Sequence, residues 1–150
     1  MAYKSKPRAV QAFLAFVPPT VTHNDLEAYT LRCSGKTIAA IRKSDRLKEA
    51  EDLMRPHVQR FRASVHCCPL RGPIRETVKI CWPTDGKHKQ GEPRVGPPDI
   101  DNWIKTFNDL CEDAHIISND AHVADLRASK AWSDPAGMFV RFEEIEMGGA

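Results

Sequence analysis

ETVKICWPTDGKHKQGEPRVGPPDIDNWIKTFNDL, residues 76–110, changes its hydrophobic period midway, and that change decides the fold class. Its opening, Glu76–Trp82, alternates with a period of two, which predicts a β-strand. Its close sets Trp103, Ile104, Phe107 and Leu110 on one side at about 100° per residue, and Cys111 and Ala114 continue the stripe. That is the spacing of an amphipathic helix, with Asp101, Lys105, Asn108 and Glu112 on the other side. Between the two lies a punctuated loop, Pro83–Pro98, with Gly86, Gly91, Gly96 and four prolines; loops of this length in compact domains are usually functional or mobile. It carries Lys87, His88, Lys89 and Arg94.

Outward from this stretch the chain reads as strands and one more helix. AVQAFLAFVPP (residues 9–19) predicts a short apolar strand stopped by Pro18 and Pro19. Tyr29–Arg32 and Lys36–Ile41, around Ser34-Gly35, predict a hairpin. Ser44 offers an N-cap to a helix in which Leu47, Ala50, Leu53 and Met54 recur, and Pro56 is expected to kink or restart it. Strands are expected near His122–Lys130 and Met138–Glu146. The order predicts a single α+β domain over residues 1–150, a small mixed β-sheet packed with helices.

The 150 residues are 41% hydrophobic and 28% charged, ordinary for one globular domain. No apolar run approaches the roughly 20 residues that span a bilayer, so no membrane association is expected and the reading is cytoplasmic. Five cysteines without paired C-x-x-C spacing argue against a disulfide framework and a structural zinc site. SGKT (residues 34–37) lacks the upstream glycine of a phosphate-binding loop, so no nucleotide cofactor is expected. No G-x-S-x-G context and no H-x-x-x-H pair are present.

The net charge of +2 conceals a division: residues 1–98 hold 18 lysines and arginines against 9 acids, and residues 99–150 hold 4 against 11. A basic portion of this kind suits a polyanion, although an ordinary solvated face would look the same. In the acidic portion, Asp99 and Asp101 stand one residue apart behind the stiff Pro97-Pro98, and Asp120 follows in IISNDAHV. Taken singly, Asp101 can cap the helix, Lys105 can be its i+4 partner, and Asp120 can end a loop. Together the acids match what Mg²⁺-assisted phosphodiester hydrolysis needs: hard carboxylate oxygens for the ion and a lysine to offset charge on the phosphate.

From Pro98 to Lys130 the chain resembles the RusA family of Holliday junction resolvases. The likeness is carried by Asp-x-Asp-Asn, a lysine three residues after the Asn, an Asp-Leu four beyond it, and an acidic turn followed by x-x-Val, with a weaker echo in VPPTVTHND (residues 17–25). Relatives often have two acids in that turn, where this chain has Asn119 before Asp120. The resemblance implies a Mg²⁺-dependent homodimer, with Mn²⁺ able to substitute, that makes paired symmetric nicks in four-way DNA junctions during recombination and repair. It implies Asp99, Asp101 and Asp120 as metal-binding aspartates, Lys105 as the essential lysine, and Lys130 as a phosphate contact. Lys87, Lys89 and Arg94 are expected to meet DNA beside it, while Asn102 and Asp109 match motif positions without an assigned role. Two alternatives stay open: a metal nuclease acting on flaps, forks or single strands, and a non-catalytic protein that binds branched DNA.

Overall fold

The strand expected at Glu76–Trp82 lies at the centre of the protein as β4 (Ile74–Trp82), seen in a computed structural model that describes residues 6–148. Its alternate residues Ile74, Glu76, Val78 and Ile80 are buried, whereas Lys79 is exposed, as the period of two requires. Around it run β1 (Ala9–Leu14), β5 (Glu92–Pro93), β6 (Val123–Trp132) and β7 (Gly137–Glu144), in the order β1-β7-β4-β6-β5. β4 and β6 are parallel and every other pairing is antiparallel, so the sheet is mixed and the α+β expectation holds. The parallel pair needs a crossover, and the chain supplies it through α2 (Ile100–Asp113) and a 3-10 turn at Asp120–His122.

A second helix, α1 (Asp45–Ser64), packs against α2 and β1. Ser44 caps it as expected, its hydroxyl accepting from the Leu47 amide at 3.0 Å. Of the kink or restart expected at Pro56, the restart does not occur: the helix runs on to Ser64. Its buried stripe, Leu47, Ala50, Met54, Val58 and Phe61, continues on both sides of the proline, and that packing outweighs the lost hydrogen bond. The same stripe lies inside the chain's own core, so Leu47–Met54 is not a free apolar face; of that run only Leu53 is an exposed large apolar side chain.

Phe61, Phe107 and Phe142 are almost fully buried in one core with Trp103, Ile74 and Ile80, each phenyl contributing roughly 1.5–3 kcal/mol. The opposite face of the sheet carries ion pairs, with Arg75 bonded to Asp125 at 2.6 Å and Arg141 to Glu143 at 3.1 Å, and also the exposed Phe13. β2 (Leu26–Cys33) and β3 (Lys36–Lys43) form the predicted hairpin as a separate two-stranded sheet. Both residues of its turn, Ser34 and Gly35, have positive φ, as a two-residue hairpin turn demands. Leu26, Leu31, Ile38 and Ile41 on this hairpin are exposed. The five cysteines are free; Cys81 and Cys111 are buried, Cys67 and Cys68 half-buried and Cys33 exposed. Among the described residues no helix is long and apolar enough to cross a membrane.

Candidate metal-binding and nuclease site

Helix α2 begins at Ile100 because Pro97 and Pro98 cannot continue a helix backwards and Asp99, in extended conformation, takes the N-cap position. Asp99 therefore sits where capping was expected of Asp101, which lies inside the first turn. The Asp99 side chain makes no cap hydrogen bond, so its carboxylate is not spent on the helix end. Both carboxylates are exposed.

The start of the helix is pinned by the segment after β1. The indole N–H of Trp103 donates to the Pro19 carbonyl at 3.0 Å, and that of Trp82 to the Pro18 carbonyl at 2.8 Å. The His23 amide donates to Thr106 Oγ1 at 2.8 Å. The VPPTVTHND echo thus acts as a strap across α2 and the end of β4.

Along the outer face of α2, Asp101, Lys105, Asp109 and Glu112 form one stripe, each one turn from the next. Lys105 Nζ donates to Asp109 Oδ1 at 2.9 Å and to Asp120 Oδ2 at 2.5 Å. Those two bonds, with Asp120 the stronger influence, hold the ammonium well above the ordinary lysine range, so it stays charged at any working pH. The turn that carries Asp120 is shaped by Asn119, whose side chain accepts from the Ala121 amide at 2.8 Å.

Lys105 and Asp120, 15 residues apart in the chain, are therefore brought together, as are Lys105 and Asp109. Among the described residues, the acids whose oxygens lie within 4.8 Å of one another are Asp109, Glu112 and Asp120. Asp99 and Asp101 stand outside that group, toward the N-terminal end of the same helix. Within that group, Asp109 matches a motif position without an assigned role and Glu112 was placed only on the polar side of the helix, although their spacing from Asp101 and Lys105 was there to be read.

The expected DNA-contacting residues divide. Lys87 and Lys89 are exposed on the loop. Arg94 lies between the rings of Trp82 and Trp132, 4.2 and 4.4 Å from their centroids, and Lys130 bonds to carbonyl oxygens of the loop.

Beneath α2, Asn108 departs from the expected helical wheel. It is buried and its amide donates to Glu76 Oε2 at 2.7 Å. The inward arc runs from Thr106 to Asn108, more than half the helix, because α1, the sheet and the strap enclose it together. Burial pushes the Glu76 carboxyl up to about 7, against the pull of the Asn108 bond.

The family model described as Endodeoxyribonuclease RusA matches residues 19–143, most of the chain. Comparison with curated proteins finds no match.

Proposed function

The chain belongs to the RusA endodeoxyribonuclease family, and from that premise we propose that it is a metal-dependent endonuclease that resolves four-way DNA junctions by paired symmetric nicks. The observation that carries this reading is the 2.5 Å contact between Lys105 and Asp120, which joins the helix bearing Asp99 and Asp101 to the acidic turn. Exposed carboxylate oxygens are the donors a hard divalent ion takes, and the free Asp99 carboxylate fits that demand. Asp99, Asp101 and Asp120 would hold Mg²⁺, or Mn²⁺ in its place. When bound, the ion supplies a water activated for attack and a positive charge beside the leaving oxygen.

The remaining work falls to the chain's own groups. Lys105 is charged throughout the working range; it offsets the repulsion among the acids and offers its ammonium to charge developing on the phosphate. Lys87 and Lys89, exposed on the loop before α2, meet backbone phosphates on either side. A twofold homodimer would present two such sites to a junction that has approximate twofold symmetry itself.

Labelled four-way junctions, forks and linear duplex, incubated with and without Mg²⁺ beside Asp101→Asn, test the reading. The expected result is paired cuts in the junction only, lost without the ion and lost in the variant, which still binds the junction. Equal cutting of forks would move the substrate to branched DNA in general. Binding without cleavage by the unaltered protein would overturn the nuclease.

A further inference from the structure

Gly96-Pro97-Pro98 leads directly into Asp99, and its two prolines have no N–H to donate. Their backbone can be held only through its carbonyl oxygens. Two cations take all three in turn. Lys130 Nζ donates to Gly96 O at 2.5 Å and to Pro98 O at 2.7 Å, and Arg94 Nη2 donates to Pro97 O at 2.9 Å. The two residues are themselves joined, since the Arg94 amide donates to the Lys130 carbonyl at 3.1 Å.

This grip is anchored on the ends of the two central strands. Trp82 and Trp132 close β4 and β6 and stand opposite each other in the parallel register, and the Arg94 guanidinium lies over both rings. His88 stacks on Trp132 at 3.9 Å between centroids. Arg94 Nε is buried without a hydrogen-bond partner, and burial lowers the pKa of the guanidinium. A guanidinium covered by two indoles and an ammonium shared by two carbonyls are poorly placed to reach a phosphate.

We propose that Arg94 and Lys130 are positioning residues. Together they clamp the carbonyls of residues 96–98 to the ends of β4 and β6, and so fix the entry into α2 and the place of Asp99 and Asp101 for metal. The inference rests on the nuclease reading for its purpose, but the clamp can be measured without metal or DNA.

Lys130→Met and Arg94→Met, in the full-length protein, are compared with Lys87→Ala, a substitution at a proposed phosphate contact. Hydrogen exchange at the Trp103 and Ile104 amides is expected to quicken in both clamp variants, while β4 and β7 amides, which report the fold, keep their rates. Mn²⁺ affinity of the free protein is expected to fall about tenfold, as for other groups that orient ligands, with Lys130→Arg recovering part of it. Junction affinity in EDTA stays unchanged in the clamp variants and falls in Lys87→Ala. Unchanged exchange and unchanged Mn²⁺ affinity would overturn the proposal. So would a loss of junction affinity with a shallower salt dependence, the mark of a phosphate contact. An unaltered protein that takes up no Mn²⁺ would overturn the nuclease reading instead, and the exchange rates would still decide the clamp.

Discussion

A carboxyl group on a central strand with 0% exposure has to be paired or neutral, and Glu76 is held by both means. Asn108 donates to Oε2, but Glu76 Oε1 and Asn108 Oδ1 are both buried acceptors without a donor. A proton on Glu76 supplies the donor the pair lacks. Its folded value of about 7 lies above the ordinary 4.5, so between those two pH values the native protein holds a proton that the unfolded chain has released. Stability therefore falls as pH rises through that window and levels off above it, by roughly 3 kcal/mol at most. Glu76→Gln keeps the neutral shape and cannot titrate. In urea denaturation the unaltered protein is expected to be less stable at pH 8 than at pH 5, and the variant to lose most of that difference and be the more stable of the two at pH 8. The same pH slope in both would refute the assignment. Nothing in the sequence pointed to this pair, because a period of two assigns Glu76 to a face but not to the inside of a core.

Element by element, legibility followed local rules. The hairpin was readable because Ser34-Gly35 is a turn with its own chemistry, and α2 because a single strong stripe of Trp103, Ile104, Phe107 and Leu110 announces it. Helix α1 was only half readable: proline rules allow a restart at Pro56, whereas continuity is decided by Val58 and Phe61 packing into the core. Asn108 was misassigned for a related reason, since the width of a helix's buried face depends on how many neighbours surround it. The proline in α1 should still carry its cost. Pro56→Ala restores an amide that can bond to the carbonyl one turn earlier, and it is expected to raise the unfolding free energy by roughly 1–2 kcal/mol. Denaturant titration of the two proteins checks this, and a less stable variant would show that the ring itself is needed in the packing.

Across the whole molecule, the acids at residues 99, 101 and 120 come from two ends of one crossover, and only the parallel pairing of β4 with β6 brings the acidic turn back to α2. The motif residues were legible one by one; the meeting of Asp120 with Lys105 was not, because it depends on strand order. Lys105 bridges from the middle of α2 to Asp120, while Asp120 is itself grouped with Asp109 and Glu112, further along the helix from Asp99 and Asp101. That leaves two different places where an ion could settle, and they are separable. Crystals of the protein soaked in Mn²⁺, with an anomalous difference map, decide between them. A peak is expected within bonding distance of carboxylate oxygens from Asp99, Asp101 and Asp120; a peak held by Asp109 and Glu112 without Asp99 and Asp101, or no peak at all, would refute the shared site.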